Sequence, residues 1–348
     1  MEKVSFNLFI LLAVALVGTG IWSAVKPATK NTPLTSAGTT SVQLLAVGDI
    51  NMGRLTGQKL LAGDTTYPFG NIKDTLASAD ITFGNLESQL ADLGGETQSP
   101  TNEYRFAGPP EGADRLAEAG FDVVSTANNH MWDYGQDSLM ETMDNLDRVG
   151  VKFVGSAREV GEQYRPTILS AKGKQVAFFA ITTLLNGYEK SGATDYVAWA
   201  DIDKIAPQIQ AVRNSVDWVA VSLHGGVEYR ATPIQSKVEL AHQLIDAGAD
   251  VVIGHHPHIP QGIERYNDGL IVYSLGNFAF WQPFGYWTEH SFMINISLAE
   301  GLEYEIIPVK AGWKPELVGG GDITTILEHI TELSANFLGD NGASTSSE

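Results

Sequence analysis

From residue 42 onward the chain repeats one motif of pattern: a short apolar run closed by a polar cluster. Leu44-Leu45-Ala46-Val47 runs into Gly48-Asp49-Ile50-Asn51, and Ile81-Thr82-Phe83 into Gly84-Asn85-Leu86-Glu87. Phe121-Asp122-Val123-Val124 leads to Ala127-Asn128-Asn129-His130, and Trp218-Val219-Ala220-Val221 to His224-Gly225-Gly226-Val227-Glu228. Asp250-Val251-Val252-Ile253 leads to Gly254-His255-His256-Pro257-His258. Runs this short and this apolar read as buried parallel strands rather than helices. Between them, the pattern predicts helices over residues 72–79, 111–119, 136–149, 202–212 and 233–247. The last has Thr232 as its cap and Pro233 in its first turn. Strand–helix alternation of this kind specifies an α/β domain. After Gly262 the pattern changes to paired strands: 263–266 with 270–274 about Asn267-Asp268-Gly269, and 292–298 with 304–309 about Ala299-Glu300-Gly301. A similar pair, 166–170 with 176–181, flanks Lys172-Gly173-Lys174. No internal repeat or low-complexity block interrupts the domain.

The two ends differ from this body. Residues 6–22 are almost wholly apolar, with Lys3 before them and Lys26 after. That length lies within the range of a membrane-spanning helix. Residues 1–26 are therefore expected to form an N-terminal transmembrane anchor or signal segment, with the positive end inside and the body outside the cell membrane. Residues 27–41, rich in Thr, Ser, Pro and Gly, read as a flexible tether. Residues 42–335 form the expected domain and 336–348 a disordered polar tail.

Composition narrows the function. The 348 residues are 43% hydrophobic and 18% charged, as in a globular protein with a sizeable core. A net charge of −19 argues against nucleic acid or an anionic lipid surface as the main partner. There is no cysteine, so disulfides, thiolate metal sites and Cys nucleophiles are excluded.

The chemistry sits at the strand ends, where open α/β sheets carry their sites. One Asp or Asn there is an ordinary turn former. Five ends bearing Asp, Glu, Asn and His together, with three of eight histidines inside 255–258, point to a metal or catalytic site. Carboxylate, amide and imidazole donors without thiolate suit Mn²⁺, Zn²⁺ or Fe, and their number exceeds one ion's needs. Two divalent ions are the expected cofactors.

The motifs Gly48-Asp49, Asn85-Leu86-Glu87, Ala127-Asn128-Asn129-His130, His224-Gly225-Gly226-Val227-Glu228-Tyr229, Gly254 to His258 and Tyr273-Ser274-Leu275-Gly276-Asn277-Phe278 follow one another between Val42 and Trp313. In that order they resemble the CapA/PgsA family of capsule biosynthesis proteins, notably for poly-γ-glutamate, within the calcineurin-like metallophosphoesterase superfamily. The resemblance implies a four-layer α/β/β/α sandwich of two mixed sheets, as the strand pattern also does. It implies Asp49 as first carboxylate ligand, Glu87 as bridging acid, Asn129 as amide ligand, and His224, His256 and His258 as imidazole ligands. His255 offers an alternative register. Asn51 stands where the superfamily commonly has a His ligand, and Glu87 where it has Asp. A hydroxide bridging the ions would be the nucleophile, His130 the general acid, and Asp133 the carboxylate that orients it. Arg54 and Arg105 are candidate contacts for an anionic substrate, with Asn128, Glu228 and Asn277 as further cleft residues. Asn51 and Asn128 equally suit turn hydrogen bonding. Trp281, Phe284, Tyr286 and Trp287 form an aromatic cluster of core or lid character. Two functions are compatible with this reading. One is a membrane-anchored hydrolase acting on a phosphoester or an anionic envelope polymer. The other is a non-catalytic assembly or export factor working with membrane-embedded capsule synthesis partners.

Overall fold

The computed structural model describes residues 41–337. The expected anchor at 1–26 and nearly all of the tether at 27–41 lie outside the described residues. Among the described residues no helix is long and apolar enough to cross a membrane.

Two mixed sheets carry the chain. In the first, Glu316–Leu317, Tyr304–Lys310, His290–Leu298, Val42–Ile50, Ile81–Leu86, Val123–Ser125 and Lys152–Val154 lie side by side, and Asn277–Ala279 pairs with the end of Val42–Ile50. In the second the order is Ile263–Tyr266, Gly269–Val272, Val251–His255, Trp218–His224, Lys174–Thr182 and Thr167–Ala171. Each has parallel strands at its centre; the second is closed by antiparallel hairpins at both edges, whereas the first is antiparallel toward one edge and ends at the other in the parallel strand Lys152–Val154. Three antiparallel pairs, Ile263–Tyr266 with Gly269–Val272, His290–Leu298 with Tyr304–Lys310 and Thr167–Ala171 with Lys174–Thr182, are the expected hairpins, and the central parallel strands are the apolar runs, which must be covered on both faces.

Side-chain alternation divides the core. Val176, Phe178 and Ala180 face the first sheet, and Phe178 stacks on Phe83 with ring centroids 5.8 Å apart. Ala177, Phe179 and Ile181 point the other way, onto Ile205 and Ile209 of the helix Ile202–Arg213 and Ala241, Leu244 and Ile245 of the helix Gln235–Asp246. A strand's two-residue period produces this division without further instruction. The helices Glu111–Ala119 and Gly135–Val149 add Leu116, Leu139, Met143 and Leu146 to the shared core. Both stop at a glycine in the left-handed region, Gly120 (φ 91°) and Gly150 (φ 82°).

Several expected boundaries move. The helix expected over 72–79 is one turn, Lys73–Leu76, because Thr82 Oγ1 donates to the Leu76 carbonyl at 2.7 Å and draws the chain into the next strand. The helix expected over 233–247 starts at Gln235. Ile234 is extended, Thr232 makes no cap, and Pro233 is buried. Helices Arg54–Leu61 and Gly321–Ala335 were not expected at all. The second is rich in β-branched residues, which lowers its intrinsic helix preference. Burial of Ile326 and Ile330, one turn apart, holds it against the protein. The tail expected from 336 begins with an anchor point instead, since the Phe337 ring stacks on Tyr273 at 4.8 Å.

Candidate functional site

Strand register assembles the site before any side chain is considered. On the first sheet Asp49 lies level with Asn85 on one side and Asn277 on the other. On the second, His224 lies level with His255. The loop after Val251–His255 then holds two non-glycine residues in left-handed conformations, His256 (φ 94°) and His258 (φ 59°), on either side of Pro257. Such backbone strain persists only where the surroundings impose it, and it concentrates at functional sites.

Asp49, Glu87, His224, His255, His256 and His258 are all buried. Their atoms converge on Glu87 Oε1, which lies 3.7 Å from His258 Nε2, 3.9 Å from His224 Nε2 and 4.0 Å from His130 Nε2. One polar atom each from Glu87, His256 and His258 fall within 4.8 Å of one another, as do one each from Asp49, Glu87 and His224. Glu87 Oε1, His256 Nδ1 and His255 Nε2 have no hydrogen-bond partner among the described residues. Leaving buried polar atoms unsatisfied is costly, and a concentration of them marks a site built for something else. Carboxylate and imidazole donors at this spacing fit divalent metal ions, and two such groups sharing Glu87 fit two.

Electrostatics agree with the donor chemistry. Burial would raise the Asp49 carboxyl, but the His255 and His258 imidazoles at 3.3 Å outweigh it and hold it well below the usual range. Burial, then the Asp49 charge, push Glu87 well above it. Burial and neighbouring imidazoles keep His224 neutral and bring His256 down to about 3, leaving both with lone pairs to offer a metal.

The remaining expected residues separate. Asn129 Oδ1 meets His224 Nε2 at 2.8 Å and so belongs to the cluster. His130 stands at its edge, with Nδ1 2.8 Å from Asp133 Oδ2 and its ring stacked 4.2 Å from Phe106. His255 is paired with Asp49 and belongs to neither group of three. Asn51 Oδ1 accepts from the Gly53 N–H at 2.7 Å, the turn hydrogen bond also expected of it, and its buried Nδ2 has no partner among the described residues. Asn128 is wholly buried and structural, donating to Asn85 Oδ1 and the Leu86 carbonyl while accepting from the His130 N–H. Asn277, expected in the cleft, is buried. It orients His258 through a 2.9 Å contact to Nδ1 and donates to Gln282 and the Thr288 carbonyl. Arg105 is occupied by the Asp133 carbonyl and stacks over Tyr134. Arg54 is half-buried and Glu228 exposed. The expected aromatic cluster holds only in part: Tyr286 meets Trp287 edge-on and Trp287 stacks on His329, whereas Trp281 stacks on Trp313 and Phe284 meets Tyr229 edge-on.

Two residues of the site carried no expected role. Asn85 Nδ2 faces Asp49 Oδ1 at 2.9 Å, His224 Nδ1 at 3.2 Å and Glu87 Oε2 at 3.3 Å. Asn128 fixes that orientation by donating to Asn85 Oδ1. Lys237 is buried and donates to the carbonyls of Gly225 and His255, tying together the two loops that carry imidazoles. The available signal was a lone lysine in line with Ala241, Leu244 and Ile245 on the apolar face of its helix.

A family model described as bacterial capsule synthesis protein PGA_cap matches residues 43–282, the stretch that contains every member of the cluster. The chain belongs to this family. Within the capsule synthesis family it is 30% identical over 240 residues to the capsule biosynthesis protein CapA of Bacillus anthracis, covering 67% of this chain and 58% of that protein. It is 30% identical to the PGA biosynthesis protein CapA of Bacillus subtilis, covering 67% of this chain and 62% of that one. The chain thus spans less than two thirds of the length of these curated relatives. Among solved structures, TT1561 of Thermus thermophilus aligns with a TM-score of 0.42 at 12% identity, over 76% of this chain and 99% of that one.

Proposed function

We propose that this capsule synthesis protein is a metal-dependent hydrolase of an anionic phosphoester or envelope polymer, held outside the cell by an N-terminal membrane anchor. In this reading its sheets and helices form the four-layer metallophosphoesterase sandwich. The observation that carries the proposal is Glu87 Oε1, a buried carboxylate oxygen without a hydrogen-bond partner among the described residues, ringed by three imidazoles within 4.0 Å.

Asp49, Glu87, His224 and Asn129 would hold one divalent ion, and Glu87, His256 and His258 the other. Bound there, the ions supply Lewis acidity toward a phosphoryl or carbonyl oxygen. The protein's own groups do the rest. Asp133 accepts the Nδ1–H of His130 and orients the ring; in the imidazolium form the Nε2–H, on the atom facing Glu87, would pass its proton to the leaving group and leave a lone pair on Nε2. Phe106, stacked on that imidazole, shields one face of it from water. Asn277 Oδ1 accepts from the Nδ1–H of His258 and fixes that ring, as partners of metal-bound histidines commonly do, while the Asn85 amide NH₂ faces His224 Nδ1.

A second reading, a metal site retained for polymer binding or assembly, is favoured by Asn51, whose oxygen is committed to a turn. Purified full-length protein, assayed for bound metal and for hydrolysis of an aryl phosphate, tests the proposal. Bound metal with turnover abolished by a chelator supports the hydrolase. Bound metal without turnover of phosphoester or polymer transfers the case to assembly.

A further inference from the structure

We propose that Arg54 forms a subsite for a second oxyanion on the substrate, a carboxylate or phosphate beyond the group that reacts; this rests on the hydrolase reading above. The Phe106 ring is the common element. One neighbour is the His130 imidazole, with centroids 4.2 Å apart, and the other is the Arg54 guanidinium, 4.7 Å from the same centroid. Phe280 repeats the arrangement, 5.6 Å from Arg54 and 5.0 Å from the His258 ring. Two phenyl rings therefore each contact both the guanidinium and an imidazole of the reacting centre.

The arginine has donors to spare. The one side-chain hydrogen bond it makes among the described residues runs from Nη2 to the Glu103 carbonyl at 3.2 Å, and its buried Nε has none. It makes no salt bridge with a carboxylate there, although the protein carries a net charge of −19. A guanidinium with a free edge matches an oxyanion in two-pronged geometry. Its backbone is also clamped. Arg54 stands at φ 54°, its N–H donating to the Thr97 carbonyl at 2.8 Å and its own carbonyl accepting from Thr97 Oγ1 at 2.9 Å. A strained backbone fixed from both sides is typical of ligand clamps. A substrate with one oxyanion at the metal centre and another at Arg54 has charged groups repeating along it, which favours a polyanion over an isolated monoester.

The test uses metal-loaded full-length protein and three aryl phosphates: one plain, one carrying a carboxylate on a short arm, one carrying a phosphate on the same arm. Wild type should prefer an armed substrate, and whichever arm is preferred identifies the oxyanion. Arg54→Gln should reduce that preference by roughly 10- to 100-fold, through KM, the size of a charged hydrogen bond. Arg54→Lys should restore part of it. An unchanged preference in Arg54→Gln overturns the subsite. If wild type hydrolyses none of the three, the hydrolase reading fails separately, and calorimetric titration with a glutamate oligomer decides Arg54. Binding that Arg54→Gln loses supports the subsite, and equal binding overturns it. Should Arg54→Gln fail to fold by circular dichroism, Arg54→Lys carries both comparisons, with weakened preference or binding expected.

Discussion

His130 and His224 both approach Glu87 Oε1, at 4.0 and 3.9 Å, but keep different company. His224 is enclosed, its two nitrogens facing Asn85 and Asn129, whereas His130 leans on Asp133 and Phe106 at the edge. His130→Ala should leave metal content near normal and lower any hydrolysis roughly 10²–10⁴-fold, the usual range for a general acid. His224→Ala should remove metal and activity together; equal metal loss in both variants would contradict this division. Lys237 gives a pH signature. Burial lowers its ammonium from 10.5 to about 7. Between those values the unfolded chain binds the extra proton, so stability should rise with pH from about 7 toward 10.5 and lack that contribution below 7. In urea titrations Lys237→Met should flatten the rise by up to about 1 kcal/mol per pH unit. Parallel curves for the two proteins would assign the slope to other groups. Asp49, Glu87, the imidazoles and His130 were legible in sequence because carboxylates and imidazoles gathered at successive strand ends suit a metal far better than they suit turns. Asn85 and Asn277 were in plain view, but their roles depend on which neighbour each amide faces, and strand pairing decides that. Arg105 looked free and is spent on a carbonyl that no pattern connects to it.

The strands were the most readable elements, since apolar runs bounded by polar clusters have one economical interpretation. Helices were less so. Glu111–Ala119 and Gly135–Val149 announce themselves by periodicity and terminal glycines, whereas Gly321–Ala335 is held by packing against its own propensity. What periodicity could not give is the close approach of strands at the site. A Cβ built on Gly48 would lie 2.0 Å from the Gly276 carbonyl oxygen, where Val42–Ile50 meets the segment leading to Asn277–Ala279. Gly48→Ala must therefore push apart the strands that carry Asp49 and Asn277. It should cost about 2–4 kcal/mol and weaken metal binding as well. Thermal melts with and without metal check both, and a variant as stable as wild type would show that this approach is not required.

Over the whole molecule, the negative field concentrates cations and repels anions. Added monovalent salt should then lower KM for an anionic substrate by screening that repulsion; a KM that rises with salt would place a local positive field, such as that of Arg54, in control. Membrane anchoring belongs to residues outside those described and rests on the sequence pattern alone. The central claim is a divalent metal centre organised by Glu87. Elemental analysis of full-length wild type and Glu87→Gln, each exposed to Mn²⁺ or Zn²⁺ and then desalted, tests it most directly. The expected result is at least one tightly held ion per wild-type chain and its loss in the variant. Metal-free wild type, or a variant that retains the metal in full, would contradict it.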